Sequence, residues 1–173
     1  VQIDGESDSI RATAIDGYVQ GATVYYDPTG EGIYQPGYTT ATTDAEGRFE
    51  LDVSGLTAHG RIVVMGGIDA MTGQAVGQLL APAGFGVISP LTTILELSGI
   101  SENELKAKLG LSAVDSLATF DPVAAMKSGS NVALGEAVFS AQQQIYAVIQ
   151  SVAKLAAGSD GVNLEALQDA VQA

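Results

Sequence analysis

The hydrophobic period of this chain changes once, near Phe85, and that single switch restricts it to a mixed architecture. Before Phe85, apolar and polar residues alternate in short runs broken by Gly- and Asp-containing turns about every ten residues, the pattern of short antiparallel strands. The spacing predicts strands over Arg11–Asp16, Gly21–Tyr26, Tyr38–Thr43, Arg48–Val53 and Arg61–Gly66, with an edge strand over Gln74–Leu80. Ala22, Val24 and Tyr26 share one face of the second strand, and Phe49, Leu51 and Val53 the core face of the fourth. Turn chemistry falls at Asp44-Ala45-Glu46-Gly47 and at Ala58-His59-Gly60. About six or seven strands in so short a stretch predict a small antiparallel β-sandwich.

After Phe85 the local signals become helical. Ser89-Pro90 and Asp121-Pro122 each place a capping oxygen before a proline, the cue for a first helical turn. They open helices through about Leu97 and to near Lys127. Ser101-Glu102-Asn103-Glu104 is a capping-box sequence, and Gly110 closes that short helix. The longest element is expected from about Asn131 to Ala157, with Gly158 as its stop and Asn163 capping a last helix from Leu164. Its apolar positions Leu134, Val138, Ala141, Ile145, Val148, Val152 and Leu155 repeat with a period of about 3.5, which fits either a coiled-coil seam or the central helix of a small bundle. The chain is thus expected to be α+β, with a sandwich domain over residues 1–86 and an α-helical domain over residues 87–173.

Composition narrows the chemistry. Seven Lys and Arg stand against 20 Asp and Glu, a net charge of −13, so phosphate-rich partners and anionic membrane surfaces find no excess of cations to bind. The acid excess is larger in the strand-rich half, where residues 1–85 carry 11 acids and 3 bases. The absence of Cys removes disulfides, thiolate metal sites and cysteine nucleophiles, and His59 is the one imidazole. No nucleophile elbow, phosphate loop or zinc-binding helix motif is present. Carboxylate neighbours such as Asp44/Glu46 and Glu102/Glu104 are unspecific among so many acids. A Lys–Asn isopeptide staple needs a Lys in the strand-rich half, and there is none. The chain is expected not to be an enzyme, and no run of apolar residues is long enough to insert in a membrane.

The sharpest local feature is the segment Asp27-Pro28-Thr29-Gly30-Glu31-Gly32-Ile33-Tyr34-Gln35-Pro36-Gly37-Tyr38. Oxygen-bearing side chains stand at its first, third, fifth and ninth positions and Gly at its sixth, the stagger by which a looping backbone wraps calcium. Asp27, Thr29 and Glu31 would offer side-chain oxygens, Ile33 a carbonyl, and Gln35 a further oxygen directly or through water. Tyr38 stands where a bidentate acid is expected, so Asp44 or Glu46 would have to complete the shell across the hairpin. The same residues equally describe an acidic, Gly-rich connection that binds nothing. Asp69, in a second Gly-rich segment, is read as a turn residue or a ligand. Tyr18, Tyr25, Tyr26, Tyr34 and Tyr38 concentrate in the strand-rich half, where they either pack in the core or, at Tyr34 and Tyr38 above all, present rings to a glycan or peptide.

Three stretches carry a resemblance. Gly21-Ala22-Thr23-Val24-Tyr25-Tyr26-Asp27 followed by Thr42-Thr43-Asp44-Ala45-Glu46-Gly47-Arg48-Phe49 resembles the carboxypeptidase-regulatory-like and SdrD B-like sandwiches, small transthyretin-like folds. Gly66–Gly73 with Leu80–Gly84 and Ile88–Thr93, and Asp121–Ala125 leading into the long helix, complete a set similar to modules of very large bacterial repeats-in-toxin-type surface adhesins. The resemblance implies an extracellular, non-catalytic structural or adhesive module on a bacterial cell surface, whose partners are the neighbouring domains of its own long chain. It also implies a calcium-holding loop with Asp at the first position and Asn or Asp at the third and fifth, where Thr29 and Glu31 stand here.

Overall fold

The structure, a computed structural model, describes residues 8–56 and 60–157. The expected turn at Ala58-His59, the stop at Gly158 and the helix from Leu164 lie outside the described residues. Nine strands and four helices occur among those described: β1 Ser9–Ala14, β2 Val19–Gln20, β3 Thr23–Asp27, β4 Thr40–Thr42, β5 Arg48–Asp52, β6 Arg61–Met65, β7 Ile68–Asp69, β8 Leu79–Pro82, β9 Val87–Ile88, α1 Pro90–Ser98, α2 Glu102–Lys108, α3 Pro122–Ser128 and α4 Val132–Ala157. The fold is α+β.

The strands form three sheets, ordered β5-β1-β9, β4-β3-β6-β8 and the two-stranded β2-β7. Alternation in β5 buries Phe49 and Leu51, as its period requires, and Val53 is half-buried beside them. Inward residues of the two larger sheets meet in one core: Ile10, Ala12 and Ala14 from β1 and Leu51 from β5 share it with Val24, Tyr26, Ile62, Val64 and Leu79 from the other sheet. Strand β6 departs from simple alternation, because Arg61, Ile62, Val63 and Val64 are all buried. Its register sets Val63 between Tyr25 and Leu80, a row on the face opposite Val24, Val64 and Leu79. Helix α1 packs against β8 and helps bury the Tyr25–Val63–Leu80 row.

Helix α1 is bolted to the sheet by hydroxyls. Ser89 caps it in a full capping box with Thr92. Thr92 Oγ1 then donates to the Leu80 carbonyl at 2.8 Å, and the Leu80 N–H donates to Thr93 Oγ1 at 2.9 Å. A second core collects Leu91 and Ile94 of α1, Leu105 of α2, Leu111, Val114 and Leu117 of the segment that follows, and Val138 of α4. A third, smaller cluster of Ile15, Val87 and Val123 joins the sheets to the helices.

Two features differ from the sequence expectation. Among the described residues the strands number nine, because β2, β7 and β9 are two-residue ladders too short to show a period. Strand β9, which follows the expected 86/87 boundary, runs parallel to β1 and completes its sheet. The seam of α4 is covered at Leu134, Val138, Ala141 and Ile145 by the second core, whereas Val148 is 63 % exposed.

Candidate functional site

Strand β3 delivers Asp27 to the start of the loop, and β4 resumes at Thr40. Asp27 is fully buried, an expensive position for a carboxylate unless its lone pairs are filled. They are. Oδ1 accepts the N–H groups of Thr29 and Gly30 at 3.0 Å each and the Thr29 hydroxyl at 2.9 Å. Oδ2 accepts the Gly32 N–H at 2.6 Å and faces Arg61 Nε at 3.4 Å. Gly30 and Gly32 adopt φ of 75° and 71°, left-handed conformations that turn their N–H groups inward and that other residues resist. Burial alone raises the Asp27 carboxyl, but the Gly32, Thr29 and Gly30 donors outweigh it and hold the group below the ordinary carboxylate range.

The remaining expected ligands do not converge on Asp27. The Thr29 hydroxyl is turned into the Asp27 carboxylate, and Glu31 is exposed. The Gly32 carbonyl accepts the Tyr25 hydroxyl at 2.9 Å, while Ile33 is 60 % exposed. Asp44 is at the wrong end of the ladder. Thr42 pairs with Thr23, so Asp44 lies two residues past the start of β3, roughly 20 Å of strand away from Asp27. There it accepts the N–H groups of Glu46 and Arg48 and pairs with the Arg48 guanidinium at 3.1 Å; Glu46 pairs with the same guanidinium. Among the described residues, no group of three or more acidic or His side chains is placed to hold a metal. The Asp27 oxygens that would face a cation face N–H groups and a guanidinium instead.

Tyr34 and Tyr38 do come together. Their ring centroids lie 6.0 Å apart, and both lean on buried Tyr25, at 5.4 Å and 6.0 Å. Burial and the nearby Asp27 push the Tyr25 phenol up to about 12, so it stays a proton donor to the loop. Tyr34 is 44 % exposed and Tyr38 half-buried, which leaves an aromatic and aliphatic surface with Ile33 at the loop's crest.

A second cluster joins residues far apart in sequence. The turn Asp16-Gly17 between β1 and β2 meets β7 and α4 in a cleft lined by Asp16, Asp69, Gln143, Tyr146 and Gln150. Gln143 Nε2 donates to the Asp16 carbonyl at 2.7 Å and to its carboxylate, and the Tyr146 hydroxyl donates to the Gln78 carbonyl at 2.7 Å. Asp69, the last residue of β7, is buried and accepts the Met71 N–H and the Thr72 hydroxyl of the turn that follows. Partial burial, with Asp69 as a further like charge, raises the Asp16 carboxyl to about 6. The Asp-Gly dipeptide between two alternating runs was the signal available for this turn; its contact with α4, 127 residues on, had none.

Compared with known proteins, the chain matches no family model, no curated protein and no solved structure.

Proposed function

We propose that the chain is a non-catalytic structural module that spaces or presents neighbouring domains of a long, extracellular bacterial surface protein. Its two larger sheets then correspond to a transthyretin-like sandwich, and the helices to a small bundle packed against it. The observation that carries this reading is the position of β1. The first described strand is the middle one of its sheet, held antiparallel to β5 over five residue pairs and parallel to β9 on its other edge. Strand β9 leads directly into α1, whose Thr92 and Thr93 are bonded to β8. Tension entering through β1 is loaded in shear along its ladders and reaches the helices through β9 and α1. A load-bearing module needs that path.

Force spectroscopy on the chain flanked by marker domains tests this. The expected record is one cooperative rupture of sheets and helices together. Sequential rupture, with the helices released first at low force, overturns the reading. The net charge of −13 disfavours nucleic acid as a partner, and no helix among the described residues is long and apolar enough to cross a membrane.

A second reading rests on the Tyr34–Tyr38 pair. Its exposed crest suits stacking against a glycan ring or a peptide side chain, which makes the module adhesive in its own right. Saturable binding on a glycan or peptide panel, lost in Tyr34→Ala and Tyr38→Ala, is its signature; no binding across such panels removes it.

A further inference from the structure

We propose that the Asp27–Tyr38 loop carries its own cation: the Arg61 guanidinium fills the role that the loop's spacing assigns to calcium. Arg61 is 6 % exposed and sits directly opposite Asp27 in the β3–β6 ladder. Its Nε faces Asp27 Oδ2 at 3.4 Å, and its Nη1 lies 3.9 Å from Glu96 Oε1 on α1. The guanidinium also borders the loop backbone, since a Cβ placed on Gly30 would stand 3.7 Å from Nη2. An arginine stays charged in any protein environment, so a buried one demands carboxylates, and this one has two.

The consequence is a loop closed without metal. Both Asp27 oxygens are occupied by N–H donors, which a divalent ion would have to displace. Such an ion would also bring positive charge against a buried guanidinium, an unfavourable contact at low dielectric. Through Glu96, the same guanidinium ties the loop that bears Tyr34 and Tyr38 to the helix that covers the sheet. Arg61 is therefore a positioning residue for that surface.

The test uses the full chain and calcium chloride against chelator, read by thermal melting and by the Gly30 and Gly32 amide resonances. A site of millimolar affinity would raise Tm by about 3–6 °C at ~10 mM calcium. The expected result is a Tm unchanged to within about 1 °C and both amides unmoved. A saturable rise that disappears in Asp27→Asn overturns the proposal. Arg61→Met then separates counter-charge from packing. The Gly30 and Gly32 amides are expected to shift and to exchange faster in that variant, and to recover toward wild type in Arg61→Lys. Gly30 and Gly32 amides indifferent to both substitutions also overturn it. Should Arg61→Met fail to fold, the calcium titration of the wild type and the Gly30 and Gly32 amides of Arg61→Lys still decide the matter.

Discussion

Replacing Asp16 by Asn is expected to stabilise the protein near neutral pH and to do nothing in mild acid. The Asp16 carboxyl lies between β7 and α4, with the Asp69 carboxylate beside it and Gln143 and Tyr146 facing it from the helix. Desolvation, then Asp69, raises it from 3.8 to about 6. The folded chain thus holds this proton more tightly than the unfolded chain does. Stability from the group is fully present below about pH 4 and declines as pH rises through about 6. The gap between the two values caps the ionisation penalty at about 3 kcal/mol. Asp16 is only part-buried, so solvent screening reduces that to about 1–2 kcal/mol.

An Asn at this position keeps an acceptor for Gln143 Nε2 and removes the charge that opposes Asp69. Relief of the penalty is expected to raise Tm by about 3–6 °C at pH 7.5. At pH 4 the wild-type carboxyl is itself neutral, and the two proteins are expected to melt together. Paired thermal melts at the two pH values read the difference directly, because titrating groups remote from Asp16 cancel between variant and wild type. An equal shift at both pH values, or destabilisation at both, would refute the reasoning: the first would assign the effect to packing, the second to a carboxylate that the fold needs.

Three further outcomes follow from the same contacts. Gly17→Ala places a Cβ 1.9 Å from Asp69 Oδ1, a position that cannot be occupied without moving the buried turn; urea unfolding is expected to show a loss of about 2–4 kcal/mol, reduced when Asp69→Ala is added. Thr92→Val preserves shape but removes the hydroxyl that donates to Leu80 and accepts from the Ser89 N–H, so chemical denaturation is expected to register a loss of about 1–3 kcal/mol. In acid, the Asp27 contribution is retained above the ordinary carboxylate range and lost as pH falls through its lowered folded value, releasing Gly30 and Gly32; their amide exchange is expected to accelerate before that of β6.

The legible parts of this fold are those set by neighbours in sequence. Ser89, Ser101 and Asp121 each accept an N–H from a residue three positions on, so a short window contains both partners of each cap. Strand β5 is legible because solvent lies on one face and the period-2 alternation survives. Strand β9 is not, since Val87 and Ile88 form no period and pair with Thr13 and Ala14 far upstream. The candidate loop divides the same way. Its oxygen stagger is a local property and is visible; what answers those oxygens is not. Arg61 begins an apolar run 34 residues after Asp27, and only the β3–β6 register brings the two together. Asp44, by contrast, is close to the loop in sequence and is removed from it by the β3–β4 register.

This division changes what the acid excess means. Asp27 accepts from Thr29, Gly30 and Gly32, Asp44 from Glu46 and Arg48, Asp52 from Ser54, Asp69 from Met71 and Asp121 from Ala124. Each carboxylate therefore works as a backbone acceptor that fixes a turn or a helix start, the local role in which Asp competes best with regular structure. Hydrogen bonds to the charged form hold Asp44 and Asp52 below their ordinary range, the largest contributions coming from the Arg48 N–H and the Ser54 hydroxyl respectively. Such contacts need no cation, whereas acids gathered for a metal would converge on a common point. These five backbone-accepting carboxylates are distributed over five separate turns or helix starts. A chain that connects many short strands without disulfides has a mechanical use for that arrangement, because every fixed turn lowers the entropy its strands must overcome to pair.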